Sequence, residues 1–439
     1  MAVIHIIDTH FGDGGKGKIV DILAQNADAI VRYHGGNNAG HTVKNEFGTF
    51  PLHLVPCGIF NQNALACITD GVVIDLEVLG DEIDMLLRVL PDFTKRLLIS
   101  PRAHIIMPYH KVLDRLYEEA KGDKKTGTTG RGIGPCHADK VSYNGIRLCD
   151  LEDVEMFENL LRTQLTLKNR IIVALGGAEL DFMVVREEIL RNYERIRAYV
   201  KEPFSRIHDL LMVPNKNILL EGAHGVFLDT DWGTYPYVTA SSIVPGNING
   251  GAGIPTRYLT DIVGVVKAYT TRVGAGPFPT ELDDEIGDRL RKNGNEYGTT
   301  TGRPRRCGWL DLELLRFSVK LCGITELAVM KLDVLGGLDS IRVCVGYKLD
   351  GKSVCYEEIT TSDLARVEPI YQEFPGWGFD SSTRGITNLC DLPHNAYDYL
   401  CFISNFVRVP IQFVSTGPAR NETIILPSNS SLFKFRKKS

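Results

Sequence analysis

Long apolar runs are missing from this sequence. Nowhere do the roughly 18 to 20 uninterrupted apolar residues of a membrane span occur, and MAVIHIIDTHFGDGGKGK has no basic stretch leading into a long apolar core and cleavage site. Both absences point to the cytoplasm, the host's if the chain is viral. An excess of positive charge is missing too: 49 Lys and Arg face 54 Asp and Glu, a formal net charge of -5. A nucleic-acid backbone would find no electrostatic footprint here, whereas free nucleotides remain open as ligands. The ten cysteines include no CxxC pair and no His/Cys ligand spacing. That argues against a zinc site or a disulfide framework and leaves reduced thiols in packed positions. Internal repeats, low-complexity tracts and interdomain linkers are lacking, and the basic FKFRKKS reads as a short solvated tail.

What is present suits an ordinary globular enzyme, 439 residues with 44% hydrophobic and 23% charged content and ample material for a large core. Short buried strands running into Gly-rich turns recur. Val3 to Asp8 leads into the turn Phe11 to Gly17 and a helix from about Lys18 to Asn26; Asn217 to Leu220 leads into GAHG, and Leu327 to Met330 into KLDVLGG. This rhythm predicts an α/β fold: a mostly parallel central sheet flanked by helices, P-loop-like, with ligands at the carboxyl ends of its strands. Val154 to Val200, including Met183 to Tyr199, carries helical periodicity that caps the sheet. Gly and Pro crowd Gly233 to Gly308 beyond what connections need, which marks ligand loops. We expect one domain over 1–439, with helical and loop insertions at about 100–210 and 230–310.

Four clusters carry chemistry. Gly12-Asp13-Gly14-Gly15-Lys16-Gly17-Lys18 fits G-x-x-x-x-G-K between a strand and a helix, where backbone N–H groups cradle phosphate; a plain tight turn is the alternative. A P-loop would next supply a hydroxyl for magnesium, but Ile19 stands there, so Asp13 becomes the natural ligand. In RYHGGNNAGHT (32–42), glycines permit close backbone approach, and His41 is either a structural residue or an acid or phosphate ligand. Met330-Lys331-Leu332-Asp333 ends an apolar strand. As in GTP-binding proteins, its carboxylate can pair with guanine N1–H and the 2-amino group, favouring GTP over ATP, although K-x-D also arises by chance. Thr299-Thr300-Thr301-Gly302-Arg303-Pro304-Arg305-Arg306 offers hydroxyls and guanidiniums for a carboxylate or phosphate pocket, or else forms a solvated basic turn. A regulatory GTP switch is a different reading, but Ile19 and the TTTGRPRR pocket speak against it. A dinucleotide oxidoreductase lacks the acidic residue that should end the run Ala29 to Tyr33 and hold a ribose.

Taken together, GDGGKGK, GGNNAGHT, GTTGRGIGP, LLEGAHG, DWGTYPYVT, AYTTRVGAGPFPTE, TTTGRPRRCGW, KLDVL and VSTGPAR, in that order, resemble the adenylosuccinate synthetase family of GTP-dependent purine ligases over nearly the whole chain. The resemblance implies a homodimer that uses Mg2+, GTP (or ATP), L-aspartate and a purine nucleoside monophosphate. Carried onto matching positions, it implies that Asp13 takes the N1 proton of a 6-oxopurine so that O6 attacks the γ-phosphate. His41 acts as acid on the diphosphate side, and Asp13 and the Gly40 carbonyl hold magnesium. Aspartate, held by Val273, Thr299, Thr300, Thr301, Arg303 and Arg305, then displaces phosphate at C6. The acceptor nucleotide falls to Asp13, Gly14, Asn38, Thr128, Thr129, His224, Thr239 and Arg303. The donor falls to Gly12, Gly15, Lys16, Gly17, Lys18, Gly40, Thr42, Arg305, Lys331, Asp333, Ser415, Gly417 and Pro418.

Three positions depart from the family pattern. Gly14 replaces the glutamate of GDEGKGK, His224 stands where Gln or Asn is usual, and Tyr143 replaces an arginine that reaches the partner subunit's nucleotide, with Arg147 as a nearby substitute. A small residue 14 beside Asp13, offering room and a backbone carbonyl, together with the altered residue 224, predicts a 2-amino acceptor, GMP or dGMP. That acceptor belongs to the phage branch that makes 2-aminoadenylosuccinate for diaminopurine DNA. A buried amino group needs space and an acceptor, since an unpaired one costs about 1–3 kcal/mol. Retention of Asp13, which that branch often replaces, speaks for the alternative, IMP as in an ordinary adenylosuccinate synthetase.

Overall fold

The chain's first strand, β1 (Ala2–Asp8), is an apolar, β-branched run buried almost throughout, as befits a strand covered on both faces. The computed structural model describes residues 2–298, 302–378 and 382–426. In it β1 is the middle strand of a nine-stranded sheet. The others are β2 (Ala29–Arg32), β3 (Leu65–Ile68), β4 (Leu97–Ile99), β5 (Asn217–Gly225), β6 (Asp261–Lys267), β7 (Glu326–Met330), β8 (Ile411–Ser415) and β9 (Thr423–Ile425). Their order is β9-β8-β7-β6-β1-β5-β2-β3-β4. Every neighbouring pair is parallel except β8 with β9.

Side chains alternate across this sheet, so adjacent residues feed different cores. Ile6, Val263, Val265 and Met330 join one apolar cluster with the helices Leu76–Leu87, Pro108–Ala120, Val154–Ala174 and Phe182–Ile196. Ile7, Ile262, Val266 and Val329 join another with Leu312–Cys322 and His394–Val407. The long helices of the 154–200 region form as expected. Asp153 and Asp181 cap them by accepting backbone N–H bonds from Met156 and Val184. Phe157, Leu161, Leu165 and Ile172 turn one face of the first inward.

The helix after β1 starts at Lys16, two residues earlier than expected, and ends at Ala24. A smaller sheet built around Ser340–Leu349 and Glu368–Pro375 had no counterpart in the sequence reading. Because the central strands are parallel, the segments leaving β1, β2, β5, β6 and β7 emerge at one end of the sheet, where the Gly-rich motifs meet.

Candidate active site

The turn after β1 is held from below by Asp8. Gly12 (φ 87°), Asp13 (φ 56°) and Gly15 (φ 97°) all adopt left-handed backbone. Gly15 stands immediately before the helix Lys16–Ala24, whose start has neither a side-chain cap nor an acidic residue in its first turn, an arrangement that favours an anion there. Asp13, His224 and Lys331 are non-glycine residues held at φ 56°, 57° and 60°. Each such residue costs about 1–2 kcal/mol. Their convergence on strand ends is where strain serves geometry rather than folding.

A cavity of about 420 Å³ opens above these turns. Gly12, Asp13, Lys16, Asn38, Gly40 and His41 line one part of it. Thr128, Thr129, His224, Thr239, Val273 and Arg303 line it too. Asn38 donates to Thr239 Oγ1 at 3.3 Å. The Thr126–Thr128 loop is pinned by Glu118, which accepts from the backbone N–H groups of Thr126, Gly127 and Thr128. Partial burial pushes the Glu118 carboxyl up, but the Lys121 and Thr126 hydrogen bonds outweigh it and bring it down to about 2.

His41 Nδ1 lies 2.6 Å from Glu221 Oε1, and Glu221 Oε2 accepts the Cys57 N–H at 2.8 Å. Arg32 Nη1 stands 3.5 Å from the same carboxylate. Burial raises the Glu221 carboxyl, yet the His41 hydrogen bond and the Arg32 guanidinium more than offset it, keeping Glu221 ionised. With Nδ1–H donated there, Nε2 is the nitrogen of His41 left for a ligand. His224 is different: both ring nitrogens are buried without a hydrogen-bond partner among the described residues. Burial, reinforced by nearby Lys16, pulls its pKa down to about 3, so the ring is neutral.

The opposite electrostatic condition holds beside Asp13. Arg305 Nε is 3.2 Å from Asp13 Oδ2, and its Nη1 is 2.6 Å from Glu296 Oε2. Glu296 also takes Lys331 Nζ at 2.6 Å, Lys267 Nζ at 3.0 Å and the Tyr269 hydroxyl. Burial raises this carboxyl, but the surrounding Lys267, Lys331 and Arg305 charges win and hold it far below the ordinary range. Burial pulls Lys267 down to about 8.

Not every expected residue reaches the cavity wall. Gly15, Gly17, Thr42, Arg305, Lys331, Asp333, Ser415, Gly417 and Pro418 do not line it. Lys18 Nζ donates at 2.8 Å to Ser415 Oγ and to the Gly417 and Glu422 carbonyls, joining three of the residues expected at the donor nucleotide, Lys18, Ser415 and Gly417, into a cluster of their own. Burial brings Lys18 down to about 8 and raises Asp333 above the usual carboxylate range. Thr299, Thr300 and Thr301 lie outside the described residues. Tyr143 is 96% exposed, and Arg147 is exposed on the same segment.

The room expected beside Gly14 does not exist. Gly14 is buried and off the cavity wall, and a Cβ built on it would stand 2.2 Å from Asp8 Oδ2. The absent glutamate left a space that another carboxylate fills. Sequence reasoning also passed over Glu221, Glu118 and Glu296. Glu221 alone carried a signal, an acid inside the apolar end of β5.

The adenylosuccinate synthetase family profile matches residues 5–424. The chain belongs to the adenylosuccinate synthetase family. Members of this family are ligases that form a carbon–nitrogen bond. The chain is 47% identical over 428 residues to the adenylosuccinate synthetase of Clostridium perfringens, covering 97% of this chain and 99% of the relative. It is 48% identical over 427 residues to that of Clostridium novyi, with the same coverage. The fully ligated adenylosuccinate synthetase of Plasmodium falciparum superposes with a TM-score of 0.90 at 38% identity, covering 97% of this chain and all of that one. A cyanophage S-2L succinoaminodeoxyadenylate synthetase, solved with dGMP and dATP, matches with a TM-score of 0.59 at 19% identity over 98% of this chain and 97% of its own. At that identity the likeness is one of fold.

Proposed function

We propose that this chain joins L-aspartate to C6 of IMP, driven by GTP, to give adenylosuccinate, GDP and phosphate. The observation that carries this reading is the single cavity on which Asp13, His41, Asn38, Thr129, His224 and Arg303 converge. The Asp13 carboxylate takes the N1 proton, and O6 attacks the γ-phosphorus as its bond to the β-γ bridging oxygen breaks. His41, anchored through Nδ1 to Glu221, acts at Nε2 on the departing diphosphate. The aspartate amine then attacks C6 and expels phosphate. Arg303 and Arg305 hold its carboxylates, with Thr299, Thr300, Thr301 and Val273 completing that subsite.

The Asp13 carboxylate and the Gly40 carbonyl are hard oxygen donors on one cavity wall, a donor set that suits magnesium. When bound there, magnesium would offset charge on the transferred phosphoryl group. The donor base falls to Asp333, with Lys331, Ser415 and Pro418 around it. The phosphates fall to the 12–18 turn and Thr42. Two copies of the chain pair as a homodimer in which Tyr143 or Arg147 faces the other subunit, and the cytoplasm is where its substrates lie.

IMP is favoured over GMP or dGMP because Asp8 occupies the space that a smaller residue 14 was expected to leave for a 2-amino group, and because the relatives at 47–48% identity are named adenylosuccinate synthetases. The 2-amino acceptor keeps one observation in its favour, the unpartnered ring nitrogens of His224. A parallel assay decides. The purified chain receives magnesium, aspartate and GTP or ATP with IMP, GMP or dGMP, and products are resolved by mass. We expect a succinylated product chiefly from IMP with GTP. Product from GMP or dGMP with little from IMP overturns the acceptor assignment, and no product with any acceptor overturns the ligase reading for these residues.

A further inference from the structure

Asp8 ends β1 with its side chain 2% exposed, directly beneath the phosphate turn. Its Oδ1 accepts the His10 N–H at 3.0 Å and the Gly12 N–H at 3.2 Å, and its Oδ2 accepts the Gly14 N–H at 2.6 Å. Lys16 Nζ stands 3.7 Å from Oδ2 and donates to the His224 carbonyl at 2.6 Å. The carboxylate is enclosed by two glycines. A Cβ on Gly14 would lie 2.2 Å from Oδ2, and one on Gly225 would lie 2.8 Å from Oδ1. No L side chain fits at residue 14 while Asp8 keeps this position.

We infer that Asp8 is a positioning residue for the reaction, and that Gly14 is the residue that admits it. The carboxylate acts as an internal anion that gathers three amides of the turn, fixing the left-handed Asp13 between Gly12 and Gly14. It also supplies the negative charge beside Lys16 from the strand end rather than from residue 14. A carboxylate accepting several backbone N–H bonds in a dry site is a strong and rigid anchor. The missing side chain at position 14 therefore makes room for the Asp8 carboxylate rather than enlarging the acceptor pocket, whose wall Gly14 does not reach. This inference rests on the reading that the turn presents Asp13 to the acceptor.

A double-mutant cycle on the full chain tests it, using initial rates with whichever acceptor the chain turns over and GTP-induced shifts in melting temperature. Gly14→Glu alone should lower kcat about 100-fold or more, because its Cβ and the Asp8 carboxylate need the same space. Asp8→Ala alone orphans the amides and should lower kcat about 10- to 100-fold. Asp8→Ala combined with Gly14→Glu should recover at least about tenfold over Gly14→Glu, since the new side chain then has room. Asp8→Asn keeps the shape but sets an amide donor against a backbone donor. It should lower kcat about tenfold while leaving the KM for aspartate within about twofold.

A double variant no more active than Gly14→Glu overturns the pairing, as does a Gly14→Glu variant with unchanged kcat. If Asp8→Asn lowers only the melting temperature, Asp8 is structural and the positioning role is gone. Asp13→Asn tests the underlying reading separately. Undiminished turnover in that variant removes the base assignment, whereas the GTP-induced shifts of the Asp8 and Gly14 variants still report whether the turn is held by this pair.

Discussion

On the β6–β7 flank of β1, the cations Lys267, Lys331 and Arg305 share the carboxylates of Glu296 and Asp13 through buried and half-buried ion pairs. On the β5–β2 flank, His5, His34 and His224 meet burial by remaining uncharged, with the Arg32–Glu221 and Lys16–Asp8 pairs as ionic exceptions. Burial forbids an unpaired charge on either side, and the two flanks answer with pairing or with neutrality. The paired flank fixes its cations around the single Glu296 carboxylate. On the neutral flank only His224 of the three reaches the cavity wall; the Nε2 atoms of His5 and His34 are bonded to the Tyr33 hydroxyl and the Ala223 N–H. Asp13 sits on the boundary, ion-paired to Arg305 on one side and lining the cavity with His224 on the other.

Breaking the paired flank should have the largest effect. Glu296→Gln leaves Lys267, Lys331 and Arg305 without their shared carboxylate, and removing one member of a buried pair costs about 3–5 kcal/mol. Urea unfolding reads this directly; a loss below about 1 kcal/mol would mean that water or Asp13 compensates. Arg305→Lys keeps the charge but cannot span Asp13 and Glu296 through separate nitrogens. It should lower kcat/KM for aspartate about 10- to 100-fold, and an unchanged value detaches Arg305 from the site.

The neutral flank is sharpened by pH. His5 and His224 have folded pKa values of about 3 against an unfolded value of 6.5. Between those values the unfolded chain binds protons that the folded chain refuses. Each histidine therefore removes stability as pH falls below 6.5, by about 1 kcal/mol per pH unit. His224→Gln should reduce the slope of unfolding free energy between pH 6.5 and 5 by that amount. An unaltered slope would show that His224 titrates normally.

Local signals made part of this legible. The apolar run of β1, the glycines after it and the K-x-D at the end of β7 are short-range patterns, and each was found where expected. His41 was readable as a candidate, but not its tie to Glu221, which lies 180 residues away in the chain. Glu296, in the polar segment NGNEYG, resembles any loop acid until four partners surround it. Gly14 was the instructive error. A glycine announces that a side chain is missing, but only tertiary structure says which neighbour uses the space, and here it was the last residue of the preceding strand.

The central placement of β1 bears on how the molecule is made. Its neighbours are β5 and β6, so Asp8 aligns with Gly225 on one side and Val265 on the other. The strand synthesised first must wait for more than half the chain before either edge is covered, and such long-range closure slows folding and exposes unpaired strand edges. A ribosome-bound chain that has not yet supplied residues 261–267 leaves one edge of β1, the strand that carries the turn and its Asp8 anchor, without a partner.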